Sequence, residues 1–274
     1  MSTITARAWT SKPASSSVAP TTPLLPMLWM QTKAQARVFW RTPAVSLTGL
    51  LMPLMLLVFF VLPHAREPWQ GSISVGAYML AAIGAYAVSS VMVFNFGVTV
   101  AMERGQKVDL LMRAMPLPGW VFLAARVIGA LVFGAVAMAL LFAVAIGLGG
   151  ITLDLATWIS LTWRLLVGAL PFIGFGFAIA YLASPSAAPA VANLLFIGLA
   201  FASGMFVRLD QMPGFLRAIA PLLPTYHYAQ LAWGAIGAAN ESGAASVGWL
   251  AGYTVVLFAL AGWAYRRETL RRFA

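Results

Sequence analysis

Six long apolar stretches divided by short basic clusters constrain this chain more tightly than any motif in it. Apart from Arg66, Arg164, Arg208 and Arg217, all of the seventeen Lys and Arg residues fall on one side of a six-crossing arrangement. Positive charge collects on the cytoplasmic side of a membrane protein, so this bias predicts two cytoplasmic termini. The expected fold class is therefore an all-α polytopic membrane protein with six transmembrane helices. Composition supports this: 61% of residues are hydrophobic and 9% charged, whereas soluble domains carry about 25% charged residues. A mean hydropathy of +0.88 describes a chain whose main solvent is lipid.

The formal charge of +10 does not point to nucleic acid. The basic residues stand in short clusters beside apolar runs, where anionic lipid accounts for them, and the sequence has no long basic face or stacking platform. With no cysteine there is no disulfide, thiol nucleophile or iron–sulfur cluster, and His64 and His227 are the two imidazoles. A dedicated metal site is not expected.

Residues 1–26 are rich in Ser, Thr, Ala and Pro, carry Arg7 and Lys12 without an acid, and read as a disordered cytoplasmic tail. A transit peptide has similar composition. Residues 27–274 read as a single membrane domain. From Met27 to Arg41, Lys33, Arg37 and Arg41 recur every four residues beside Trp29, Met30, Val38, Phe39 and Trp40, the pattern of a helix lying in the inner membrane interface. Spans one and two are expected at about 44–62 and 75–98.

Glu103, Arg104, Lys107, Asp109 and Arg113 follow, too charged to cross a membrane. Val108, Leu111, Met112 and Met115 share helical spacing, and Glu103 with Lys107 and Asp109 with Arg113 are i,i+4 pairs. This segment is expected to be a cytoplasmic amphipathic helix, ended by Pro116 and Pro118. Span three is expected at about 121–148, with Arg126 snorkelling near its inner end. Span four is expected at 165–183, uncharged and long enough for about 28 Å of helix, with Arg164 snorkelling at its outer flank. Spans five and six are expected at about 189–207 and 246–265. Between them Pro213, Pro221 and Pro224 break an apolar stretch into short re-entrant or interfacial outer helices.

The chemistry within the spans is sparse. All seven carboxylates fall in loops, at interfaces or on the cytoplasmic helix, which disfavours an ion-coupled carrier. Lys12, Lys33 and Lys107 are the lysines, and none lies in a Gly-x-x-x-x-Gly-Lys-Ser/Thr context, so ATP is not bound here by a P-loop. There is no Gly-x-Ser-x-Gly elbow and no intramembrane aspartate pair or Ser/His dyad, so hydrolase and protease chemistry are not expected.

Three features together resemble the membrane subunit of type-2 ABC exporters across about residues 27–270. These are the basic interfacial helix, the segment Met-Glu-Arg-Gly-Gln-Lys-Val-Asp-Leu-Leu-Met-Arg-Ala-Met-Pro after span two, and a broken outer helix containing Leu-Leu-Pro-Thr-Tyr-His-Tyr. The spacing of Glu103, Arg104, Gly105, Leu110, Leu111 and Pro116 is the most specific part. The resemblance implies a permease domain that pairs with a second copy or a paralogue and with separate cytoplasmic ABC ATPase subunits. On this view ATP and Mg sit on the partner, this chain binds no cofactor, and the assembly works outward across a bacterial inner membrane. Drugs, lipids or glycan chains are the cargo classes it implies.

Glu103, Arg104, Lys107, Asp109, Leu111 and Arg113 are then candidates for contact with the ATPase or for bracing the inner end of the pathway. A solvated helix with ordinary charge pairs is the plainer alternative. Lys33, Arg37 and Arg41 fit anionic headgroups or motor contact. Phe94 and Asn95 are pathway candidates, and Tyr226 with His227 are exit-gate candidates, although aromatic residues at that depth also serve as interface anchors. Gly198, Ala202 and Gly204 would let helices approach closely, between copies or within one. A lining of aromatic, Met and small residues favours hydrophobic or amphipathic cargo.

Overall fold

The structure, a computed structural model, describes residues 24–41, 43–70, 73–106 and 119–273. The expected tail up to residue 23 lies outside the described residues, as do Lys107, Asp109, Leu111 and Arg113. Helix α1 (Leu24–Arg41) takes in the last three residues of that expected tail and packs along α5 (Gly119–Gly147). Helix α2 (Pro43–Leu56) continues through a π-helical turn (Leu57–Val61) and a 3-10 turn (Leu62–His64). A small antiparallel hairpin, β1 (Pro68–Gln70) and β2 (Ile73–Ser74), leads into the next helix.

Ser74 starts that helix by accepting the Ala77 N–H at 3.1 Å, the N-cap geometry expected of serine. The helix comprises α3 (Val75–Val93), a π-helical turn (Phe94–Thr99) and α4 (Val100–Gly105), without interruption over Val75–Gly105. Of its most apolar stretch 83% is buried inside the protein, against 17% for that of Gly243–Glu268, so the former is the hub. Around it pack α5, α6 (Leu155–Gly168), α7 (Leu170–Leu182), α8 (Ala188–Ala202) and α10 (Pro224–Trp233). Helix α11 (Gly243–Phe273) lies along α7 and turns a wide apolar face outward.

Among the described residues four helices are long and apolar enough to cross a membrane: Val75–Gly105, Val121–Gly147, Leu155–Leu182 and Gly243–Glu268. Leu50–His64 and Ala188–Ala202 are apolar but shorter. The expected fifth span stops at Ala202 instead of reaching residue 207. Gly204 adopts φ +88°, Met205 N–H bonds to Ala200 O at 3.2 Å and Gly204 N–H to Phe201 O at 3.1 Å, a Schellman termination that apolar composition does not reveal.

The fourth span also differs from expectation. Asp154 caps α6 by accepting from Thr157 Oγ1 and N–H, and those bonds hold its carboxyl below the usual range. Helix therefore begins at Leu155, and Arg164 lies inside it rather than at its flank. Pro171, which has no N–H to offer, separates α6 from α7 at Ala169. The prolines between the expected fifth and sixth spans break the helix there, as the sequence suggests. Pro213 precedes α9 (Gly214–Ile219), Pro221 lies in a 3-10 turn (Ala220–Leu222) and Pro224 begins α10. The longest of these pieces has 10 residues, about 15 Å of helix.

One close helix approach within the chain involves Gly97 and Gly176. A Cβ on Gly176 would lie 3.0 Å from Gly97 N, Phe96 Cβ and Val93 O, so the missing side chain lets α7 seat on the π-helical turn. Gly198, by contrast, has nothing within 4 Å of such a Cβ. Gly176→Val is expected to cost about 1–3 kcal/mol by overpacking against backbone, while Gly198→Ala is neutral or gains up to about 1 kcal/mol of helix propensity. Thermal unfolding in detergent, followed by size-exclusion fluorescence, checks both.

Candidate functional site

Arg126, expected to snorkel, is instead buried on α5 with 3% of its side chain exposed. A guanidinium inside an apolar bundle needs acceptors for its donors, and three are present. Its Nε donates to Asn95 Oδ1 at 3.1 Å, Nη2 to the Asn95 carbonyl at 3.0 Å, and Nη1 to Glu103 Oε2 at 2.7 Å. Its guanidinium also lies over the Phe96 ring, 5.8 Å from the centroid. Asn95 and Phe96 belong to the π-helical turn, where the backbone leaves the regular i→i−4 ladder. Glu103 lies eight residues on, about 12 Å along the axis, with 35% of its side chain exposed.

The next residue faces another way. Arg104 pairs with Glu268 of α11 and lies 5.0 Å from the centroid of the Tyr181 ring of α7, which meets Tyr265 edge-on at 5.3 Å. Consecutive helical residues are about 100° apart around the axis. Glu103 thus ties the helix end to α5 while Arg104 ties it to α7 and α11. Both residues read as ATPase-contact candidates are engaged in pairs within the chain. They also sit on the continuation of the Val75–Gly105 helix, not on a separate cytoplasmic helix.

A second polar cluster lies around α10. His227 has 2% exposure, its Nδ1 3.0 Å from Glu241 Oε1 and its Nε2 2.9 Å from the Pro221 carbonyl. Both ring nitrogens lie within hydrogen-bond distance of an oxygen. Ser246 donates to the same carboxylate, and Trp249 stacks on the imidazole at 4.9 Å. Tyr226 meets His227 edge-on, half-buried. Nearby, Arg208, Trp69, Tyr78 and Trp233 form a ladder with successive spacings of 4.0, 4.5 and 4.7 Å. Tyr228 Oη donates to Leu165 O at 2.6 Å and Thr225 Oγ1 to Leu199 O at 3.1 Å, so α10 is fastened to the flanking helices.

The four pathway and gate candidates therefore divide between two places. Asn95 belongs to the Arg126 cluster, with Phe94 beside it packed edge-on against Phe196. Tyr226 and His227 belong to the α10 cluster. Phe196 meets Phe172, and Phe172 meets Tyr228, so a row of rings runs from one region to the other. Lys33 and Arg37 are exposed on α1 beside Trp29 and Met30, and Arg41 is its last residue. Arg164 is half-buried on α6 and reaches Gly234, where a Cβ would lie 2.8 Å from its Nη1. Sequence reading missed the partners of Arg126, Arg104 and His227. A lone arginine in an apolar run was the available signal, but its carboxylate stands 23 positions away.

Residues 68–263 match the family described as ABC-2 family transporter protein, well over half of the chain. The chain belongs to the ABC-2 transporter family. YvfS of Bacillus subtilis (strain 168), described as a transport permease, is 27% identical over 213 residues, covering 76% of this chain and 84% of the relative. The ABC-2 protein is accordingly a membrane-located permease subunit of an ABC transporter, a transport component rather than an enzyme. The family match takes in Asn95, Glu103, Arg104, Arg126, His227 and Glu241, whereas α1 and Glu268 lie outside it.

Removing one member of a buried, hydrogen-bonded ion pair strands the other. Arg126→Ala is expected to cost about 3 kcal/mol of stability for that reason. Arg208→Ala, whose pair with Asp210 is 44% and 59% exposed, is expected to cost less than about 1 kcal/mol. Denaturant unfolding of the purified permease in detergent compares the two.

Proposed function

We propose that this permease is the membrane half of an ATP-driven exporter, pairing with a second copy or a paralogue and with separate cytoplasmic ABC ATPase subunits. Six crossings, both termini in the cytoplasm and residence in a bacterial inner membrane complete the reading. The observation that carries it is the position of the Glu103–Arg104 junction. The buried hub helix ends there, and the charged segment holding Lys107, Asp109, Leu111 and Arg113 follows directly. A motor contact on that segment gains leverage on α5, α7 and α11 through the two ion pairs. In this reading Glu103 and Arg104 brace the helix end, and Lys107, Asp109, Leu111 and Arg113 meet the ATPase. ATP and Mg belong to that partner.

The cargo assigned is a hydrophobic or amphipathic drug or antibiotic, with lipid or lipid-linked glycan as the alternative. Support comes from the apolar and aromatic character of the interior, where Tyr86 and Phe94 of the hub pack with Phe196 and Phe206, and Phe196 with Phe172. Lys33 and Arg37 on α1 suit anionic headgroups at the inner surface.

Tagged protein extracted in mild detergent is expected to bring down a soluble ATPase in stoichiometric amount, identified by mass spectrometry and carrying vanadate-sensitive ATP hydrolysis. Transport-active preparations without such a subunit would overturn the assignment. The crossing number has its own test, made clean by the absence of native cysteine. Ala274→Cys is expected to resist a membrane-impermeant maleimide on intact cells and to react after permeabilisation; labelling of intact cells rules out a cytoplasmic C-terminus.

A further inference from the structure

We propose that Arg126 is a positioning residue of the transport cycle, acting across the π-helical turn Phe94–Thr99. The proposal rests on the reading that the segment after Gln106 meets the ATPase. Arg126 holds Asn95 at the near end of the turn and Glu103 beyond its far end. A π-helical turn is a place where a helix bends. Here it rests on a neighbour, because Gly97 and Gly176 bring the backbones of the hub helix and α7 into contact. The turn has a fulcrum at Gly97, and Arg126 clamps the lever on the other side of it.

The two ends of the clamp differ in a way that suits release. Arg126 and its bonds to Asn95 are buried, with 3% of the arginine side chain exposed, while Glu103 has 35% exposed. When the helix end swings, the part-exposed Glu103 regains water, and the guanidinium keeps both bonds to Asn95, which limits the cost of leaving its charge unpaired. Stability alone gives little reason for such a pair, since well-packed apolar residues commonly match or exceed a buried ion pair. Position gives a reason: the bond sets the angle at which the hub helix delivers the charged segment. Arg104, bound to Glu268 and packed on Tyr181, passes the same displacement to α7 and α11.

The test uses the complex of this chain with its co-purified ATPase in phosphatidylethanolamine–phosphatidylglycerol vesicles. Spin labels are placed at Gln106→Cys and Val136→Cys, both at exposed positions in a chain without native cysteine. The parent is expected to give one narrow distance distribution that shifts when ATP and vanadate trap the motor. Arg126→Lys keeps the charge but loses the fork, and Glu103→Gln removes the ion pair. In both, the resting distribution is expected to broaden and the shift to fall by half or more, with the ATPase still bound and hydrolysis within about twofold of the parent. A variant that fails gel filtration is replaced by Asn95→Ala, which removes one anchor and leaves the ion pair. Variants that retain the parent's distribution and shift overturn the positioning role while leaving the coupling reading intact. A parent complex without any nucleotide-dependent shift overturns the coupling reading, and the proposal with it.

Discussion

A guanidinium in an apolar bundle must be answered by acceptors, and much of the arrangement at one end of this protein follows from satisfying Arg126. The residue lies on α5, but its partners lie on the hub helix at Asn95 and Glu103. Meeting that demand fixes the rotation of α5 against the hub. It also places a side-chain acceptor and a backbone carbonyl at the π-helical turn and leaves a carboxylate at the end of the helix. Because Arg104 turns the other way toward Glu268, the same helix end is held by two neutral pairs in different directions. Glu103 and Arg104, two of the charges that read as an interaction surface, are thereby committed within the chain.

The other polar cluster obeys the same rule with different chemistry. Helix α10 is too short to carry its own weight in packing, and it is held by His227, Tyr228, Thr225 and Gln230, each bonded to another part of the chain. His227 thus contributes to the architecture through Glu241 and Pro221. Between the clusters, the row Phe94, Phe196, Phe172 and Tyr228 supplies contact without polar atoms to satisfy, apart from one phenol that donates to Leu165. A core of this kind transmits displacement because close-packed groups cannot yield independently.

Some of this was legible in the residues. Long apolar runs with few charges specify helices in lipid, since every backbone polar group must be satisfied within its own segment. The prolines at 213, 221 and 224 marked the breaks before α11, because each lacks an N–H. Helix ends set by hydrogen bonding were harder to read. Gly204 closes α8 through a left-handed turn, and Asp154 opens α6 well before the apolar run begins, both against the hydropathy profile. Arg164 was misplaced for the same reason: its helix begins with a polar cap and an amphipathic turn that hydropathy discounts.

The sequence by itself determined the solvent, the helical class and the location of the charged segment, because these depend on composition and on spacing along one element. Only the tertiary structure decided which charge meets which. Glu103 and Arg126 are 23 residues apart, and Arg104 and Glu268 lie on the first and last of the four long apolar helices, so neither pair leaves a periodic trace. The same holds for Gly97 against Gly176, whose meaning lies in the missing side chain at one crossing. Pairing between helices is set by rotation and register, which a one-dimensional pattern does not encode.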